Sequence, residues 1–372
     1  MLAGSKAAAA ASSAALAPRA SAASFSSSSI KSISQTKKPI AIFLNASRLD
    51  YDHKLKFDKL SEIVDFQRND QDYVTDPDLL LKLVHDSKAE IVITKEMKVP
   101  AACVEQFPSH VRLLCEAGTG YNNIPIDTAR ARGIAVCNVP TYSTDAVAHM
   151  AITYLMNLSI RMFEQQAMLQ EGDRSNFTGP FTLPLMELND KTLGLVGGSG
   201  LIGSKVADIA LALGMNIIIS SRSGALPDDH RHAHNPRVQV VAKIEDLLGD
   251  SDFVSLHTPL NDETRGTFGR KQMERMKPTA FLINTSRGAV CNEAELISCL
   301  REHVIAGAGL DVTTTEPAPM YSELWTLPNV WLSPHIGWRR IETRQRLVDM
   351  TYDNILAYCK AESPADYINV VN

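Results

Sequence analysis

Between residues 192 and 213 the chain reads as a short apolar strand, a glycine-rich turn and an apolar helix, an order that few folds accommodate. The strand is Thr192-Leu193-Gly194-Leu195-Val196-Gly197, and Gly198-Ser199-Gly200-Leu201-Ile202-Gly203 follows as G-x-G-x-x-G. Glycines there permit a tight turn and let the backbone approach a pyrophosphate at the positive end of the helix. The pattern alone is weak. With a strand before it, a helix after it and a second apolar strand ending near Ser221, it marks a dinucleotide-binding βαβ unit. Gly198, Gly200, Leu201, Ile202 and Gly203 are therefore candidate cofactor residues. An NAD-binding unit carries Asp or Glu at the end of its second strand, about 20 residues on. Ser221-Arg222-Ser223 stands there instead, and a hydroxyl followed by a guanidinium suits a 2′-phosphate. NADP(H) is expected, with NAD(H) as the alternative.

The same strand–helix alternation runs through the rest of the chain. Apolar strand-like segments lie at residues 40–44, 91–93, 111–115 and 134–139, with helical stretches at 78–85 and 126–132 between them. A long amphipathic run follows at 143–168, with Ser143 or Thr144 as its N-cap and Val147, Met150, Tyr154 and Leu158 on one face. A second strand series occupies 191–197, 217–220, 238–241, 253–257, 280–284, 306–312 and 330–333. Continuously apolar strands alternating with helices imply parallel sheets covered on both faces. The expected fold is α/β, with two Rossmann-like or flavodoxin-like domains joined by a long helix.

Other classes are disfavoured. With 37 Lys+Arg against 42 Asp+Glu, the net charge of −5 offers no basic face for nucleic acid. No uncharged apolar run reaches the roughly 18–20 residues of a membrane-spanning helix. The six cysteines form no Cys-x-x-Cys pair and read as reduced, mostly buried thiols. His230, His232 and His234, between Pro227 and Pro236, read as a solvated loop, so no metal is expected. Residues 1–34 hold 12 Ala and 11 Ser, and Lys6, Arg19, Lys31, Lys37 and Lys38 precede the first acid, Asp50. Residues 1–38 are thus expected to be a disordered, transit-peptide-like leader for the mitochondrion, with a plastid or the cytoplasm as alternatives.

Three strand ends in the second half carry unusual polar residues. They are Asn284-Thr285-Ser286-Arg287-Gly288, then Asp311 with Glu316-Pro317, and Ser333-Pro334-His335-Ile336-Gly337. Ligands of open α/β sheets bind beyond the carboxyl ends of strands, so these segments should meet in one crevice.

Together with Glu116-Ala117-Gly118-Thr119-Gly120-Tyr121-Asn122-Asn123-Ile124, Cys137-Asn138-Val139-Pro140, Tyr142-Ser143-Thr144 and the ending Ile368-Asn369-Val370-Val371-Asn372, they make the chain resemble the D-isomer-specific 2-hydroxyacid dehydrogenases. The resemblance covers nearly everything after residue 38 and is strongest to the glycerate dehydrogenases, or hydroxypyruvate (glyoxylate) reductases. It implies a substrate domain from residues 39–141 and 336–372, with a dinucleotide-binding domain, 142–335, inserted between them. It further implies that Arg287 pairs with the substrate carboxylate and polarises the carbonyl, His335 transfers the proton, and Glu316 orients His335. The backbone of Gly118, Thr119 and Gly120 would also meet the substrate carboxylate. Asp311 would contact the nicotinamide amide, with Thr258 and Pro259 beside the cofactor. A homodimer through the cofactor domain and the long helix is implied as well. Two features depart from the family. Gly197-Gly198 adds one residue before the glycine motif, and His149 stands where Glu or Gln is common. A non-catalytic, NAD(H)-sensing corepressor-like protein is the rival function. No Tyr is followed four positions later by Lys, which disfavours a short-chain reductase.

Overall fold

The computed structural model describes residues 37–372; the leader expected over residues 1–38 lies outside them but for Lys37 and Lys38. The first sheet comprises β1 (Ile40–Phe43), β2 (Asp65–Arg68), β3 (Ile91–Thr94), β4 (Leu113–Glu116) and β5 (Ala135–Cys137). Its order is β2-β1-β3-β4-β5 with every pairing parallel, the flavodoxin-like arrangement. β3 and β4 are buried along their whole length, as their apolar sequences require. β2 has no counterpart among the expected strands. Asp65-Phe66-Gln67-Arg68 carries little apolar signal because it is a half-exposed edge strand paired only with β1.

The second sheet comprises β6 (Thr192–Val196), β7 (Asn216–Ser220), β8 (Val238–Val241), β9 (Phe253–Leu256), β10 (Phe281–Asn284), β11 (Gly307–Leu310) and β12 (Val330–Leu332). The order β12-β11-β10-β9-β6-β7-β8, again all parallel, is doubly wound. Its order reverses between β6 and β9, and the crevice beyond those strand ends is where such sheets bind ligands.

The run at 143–168 is two helices, not one. Thr144–Ile160 ends at Arg161, whose φ of +51° is left-handed, and Met162–Gln170 starts anew. Arg161 lies 4.6 Å over the Phe281 ring and pairs with Glu164 at 3.0 Å, so the bend lets a cation dock on the sheet. Ser143 precedes the helix without a side-chain capping bond. The first helix buries Ala148, Ala151, Tyr154, Leu155 and Leu158 against Leu193, Leu195, Phe281 and Ile283 of the second sheet. Helix Ile341–Lys360 instead buries Leu347, Val348 and Ile355 against the first sheet. Each such fully buried aliphatic side chain contributes about 1.5–3 kcal/mol. The polypeptide thus leaves the first sheet after β5 and returns to it after β12.

The histidine loop is not solvated as expected. His232 is buried, with Nε2 3.1 Å from the Ser204 carbonyl oxygen and 3.2 Å from Asp208, and His230 Nε2 lies 3.0 Å from Ser204 Oγ. The loop packs on the Leu201–Ala212 helix because that helix offers these polar partners. Five cysteines are buried and Cys359 is exposed; burial pushes the Cys291 thiol up to about 12. No described helix is long and apolar enough to cross a membrane.

Candidate active site

The carboxyl ends of β3 and β4 face those of β6, β9, β10 and β11 across a cleft of about 320 Å³, lined by Gly118–Gly120, Ile202, Thr258, Pro259, Arg287, Asp311 and His335 among others. Residues expected from distant parts of the sequence therefore share one crevice.

The glycine turn absorbs its extra residue at Gly197. Its φ is +83°, and a Cβ there would lie 2.8 Å from the His257 carbonyl oxygen, so only glycine fits. A Cβ on Gly203 would lie 2.6 Å from Gly198 Cα, which keeps the helix tight against the turn. Gly200 opens the Leu201–Ala212 helix without a capping side chain. Thr258 Oγ1 and Thr285 Oγ1, both from cleft-lining residues, are buried with no partner among the described residues. A glycine cradle beside orphaned hydroxyls fits a bound dinucleotide. His257, at the same rim, is held neutral: burial lowers its pKa to about 4. Beyond β7, Ser221 and Ser223 both donate to the Ala225 carbonyl, at 3.1 and 2.9 Å. Arg222 is 97% exposed and reaches Glu263 at 3.7 Å.

His335 sits on a left-handed backbone, φ +51°, held by its N–H donating to the Asp311 carbonyl at 2.9 Å. The Asp311 carboxylate accepts from Ser333 Oγ at 2.5 Å, Ile336 N at 2.9 Å and Gly337 N at 2.8 Å. Burial nevertheless pushes its carboxyl above the usual range. Besides lining the cleft, then, Asp311 clasps the loop that presents His335. His335 Nδ1 donates to Glu316 Oε2 at 2.7 Å, leaving Nε2 as the ring nitrogen free for a ligand.

Arg287 brings the NH2 end of its guanidinium against Gly120; a Cβ at that glycine would collide with it. Its NH1 donates to the Ser286 carbonyl at 2.8 Å. The Gly118–Gly120 segment differs from expectation in one respect. The Gly118 N–H is taken by the Glu116 carbonyl at 2.8 Å, because the chain turns tightly off β4, while those of Thr119 and Gly120 have no partner among the described residues. His149 is exposed on its helix, and nothing in the structure explains it.

Sequence reasoning missed a charged cluster behind this site. Glu96 Oε1 is 2.9 Å from Lys95 Nζ and 3.7 Å from His335 Nε2, and its Oε2 is 3.0 Å from Arg48. Lys95 is fully buried, 3.9 Å over the Trp338 ring. Burial opposes the Glu96 charge, yet Lys95, His335 and Arg48 hold its carboxyl far below the usual carboxylate range. Glu116 accepts from Thr94 Oγ1 at 2.8 Å and Asn123 Nδ2 at 3.0 Å, and burial pushes it upward. The available signal was two adjacent charges directly after the apolar strand Ile91–Thr94, at a strand's carboxyl end.

A dinucleotide cradle beside an imidazole–carboxylate pair and a guanidinium defines a nicotinamide-dependent oxidoreductase of 2-hydroxy acids. Residues 152–337 match the family described as D-isomer specific 2-hydroxyacid dehydrogenase, NAD binding domain. The chain is 38% identical to a glyoxylate reductase of Thermococcus litoralis over 294 residues, 78% of this chain and 86% of the relative. It is 33% identical to a hydroxypyruvate reductase of Blautia hydrogenotrophica over 307 residues, 82% of this chain and 90% of the relative. Among solved structures, the NADPH-dependent glyoxylate/hydroxypyruvate reductase of Sinorhizobium meliloti, in complex with NADP and malonate, superposes with a TM-score of 0.73 at 25% identity, covering 90% of this chain and 97% of that one. The chain belongs to the D-isomer-specific 2-hydroxyacid dehydrogenase family.

Proposed function

We propose that this oxidoreductase reduces small 2-oxo acids, hydroxypyruvate to D-glycerate and glyoxylate to glycolate, with NADPH as the preferred donor. The observation that carries this is the Glu316-anchored His335, with Nε2 directed to the cleft that Arg287, Thr258 and, from the glycine turn, Ile202 also line. The Arg287 guanidinium and the open N–H groups of Thr119 and Gly120 bind the substrate carboxylate. The nicotinamide, when bound, supplies the hydride. His335 Nε2 delivers a proton to the carbonyl oxygen, and Glu316 holds Nδ1–H and balances the imidazolium charge. Asp311, if it also meets the nicotinamide amide, does so while clasping the His335 loop. The relatives named above are reductases, which favours catalysis over nucleotide sensing.

NADPH preference is supported by Ser221-Arg222-Ser223. A carboxylate at position 221 would bond ribose hydroxyls and repel a 2′-phosphate; serine removes that repulsion, and Arg222, exposed and held only by a 3.7 Å surface pair with Glu263, can swing onto a phosphate. One charge-assisted bond is worth about 1.5–3 kcal/mol, or roughly a tenfold to hundredfold preference. Steady-state turnover across a panel of 2-oxo acids with both cofactors is therefore expected to give the higher kcat/KM with NADPH, and the double variant Ser221→Asp, Arg222→Ala to reverse the order. Equal or better use of NADH by the unaltered chain would contradict the assignment.

Exposed Met156, Ile160, Met162, Phe177 and Phe181, on and just after the helix pair that begins at Thr144, support a homodimer through that face. The Ser- and Ala-rich, acid-free leader supports delivery to the mitochondrion, with a plastid as the alternative. Sedimentation of the full chain tests the first, its monomeric behaviour being the contrary result. Import into isolated organelles tests the second, and failure to enter either would contradict it.

A further inference from the structure

Glu96 is a carboxylate at the site, its side chain 15% exposed, that the proton and hydride transfers do not use. Its φ of +52° is left-handed, a conformation that a non-glycine residue adopts only under strain. Its N–H donates to Glu116 Oε1 at 2.8 Å, which locks that conformation. His335, facing it, is left-handed too. Two strained residues thus aim their side chains at one point, 3.7 Å apart at Glu96 Oε1 and His335 Nε2. That separation is too long for a hydrogen bond, so neither atom is consumed by the other.

Glu96 also lines both the cleft and an adjoining chamber of about 420 Å³ that Arg48, Tyr73, Thr313 and Glu316 share. A 2-oxo acid whose carboxylate meets Arg287 and whose carbonyl oxygen meets His335 Nε2 must point its third carbon away from Arg287. A bare carboxylate beside the carbonyl would oppose the negative charge that builds there. Lys95 and Arg48 offset that charge, and each Glu96 oxygen retains capacity to accept a further donor.

Resting on the 2-oxo acid reduction proposed above, we propose that Glu96 is a specificity-determining residue that accepts a hydrogen bond from a hydroxyl on the substrate's third carbon, so that the site selects 3-hydroxy-2-oxo acids. Pyruvate presents a methyl group to the carboxylate and glyoxylate presents nothing. A site built to bond a hydroxyl discriminates strongly against the analogue that lacks it, because its own polar group is left unpaired.

The experiment measures kcat/KM for hydroxypyruvate, pyruvate and glyoxylate with the unaltered full chain and with Glu96→Gln and Glu96→Asp. The unaltered chain is expected to favour hydroxypyruvate over pyruvate, which differs only by the hydroxyl, by roughly tenfold or more. Either variant should shrink that ratio severalfold, mainly through the KM of hydroxypyruvate. A ratio within one preparation is independent of how much of the variant is folded. An equal loss on all three substrates would reduce Glu96 to a structural partner of Arg48 and Lys95, and a ratio near one in the unaltered chain would overturn the proposal without any variant. Reduction of none of the three by the unaltered chain would remove the reductase assignment itself, a result distinct from both.

Discussion

His335→Ala is expected to lower kcat by about 10²–10⁴-fold, the range that a positioned general acid contributes, while the affinity for the dinucleotide stays unchanged. The separation of the two effects follows from the architecture. The cofactor cradle is built on β6, Gly197–Gly203 and the helix after it, whereas His335 arrives on the loop after β12 and is clasped by Asp311. Removing the imidazole leaves the backbone bonds from Ile336 and Gly337 to Asp311 in place, so the loop keeps its course. Glu316→Gln should lower kcat less, because Nδ1–H keeps an acceptor while the imidazolium loses its negative partner. Turnover with hydroxypyruvate, paired with a fluorescence titration of bound NADPH, reads both quantities. An alanine variant that keeps most of its activity would place the proton donor elsewhere.

Arg287→Lys is expected to cut kcat/KM for 2-oxo acids at least about 100-fold, since two charge-assisted bonds of about 1.5–3 kcal/mol each depend on the planar fork. The guanidinium lies directly on Gly120, whose missing side chain leaves the room it occupies. An ammonium on a flexible stem keeps the charge but cannot present two parallel donors to a carboxylate. It also leaves the space over Gly120 partly empty. The loss should appear in both KM and kcat, because Arg287 binds the carboxylate and polarises the neighbouring carbonyl. Unchanged values of both would mean that the substrate carboxylate is held by other groups.

What the sequence makes legible is whatever is apolar and continuous or tied to a motif. β3, β4, β6, β9 and β10 are runs such as Ile91–Thr94 and Phe281–Asn284 that only a sheet covered on both faces can bury. Arg287, Asp311 and His335 follow strand ends, where together they draw attention, and their roles, with that of Glu316, were legible through the family resemblance. β2 escaped because an edge strand needs only half-burial, and Asp65 and Arg68 at its ends mask it. The break at Arg161 escaped because helical periodicity continues through it; only the Phe281 ring beneath explains why a cation turns inward there. His232 looked solvated because its partners, Ser204 and Asp208, lie on a helix earlier in the chain. The cluster of Arg48, Lys95, Glu96 and Glu116 was hidden for a related reason. Its members stand at or beyond the ends of three different strands, and the charges make sense only when the sheet sets them side by side.

The central claim is that a hydride passes, in this cleft, to the second carbon of a 2-oxo acid from one fixed side. Single turnover of the full chain with NADPH deuterated at the transferable position and hydroxypyruvate tests it most directly. The account predicts D-glycerate carrying deuterium at its second carbon. Tight binding of the nucleotide with no deuterium transferred to any 2-oxo acid, or transfer that yields L-glycerate, would contradict it.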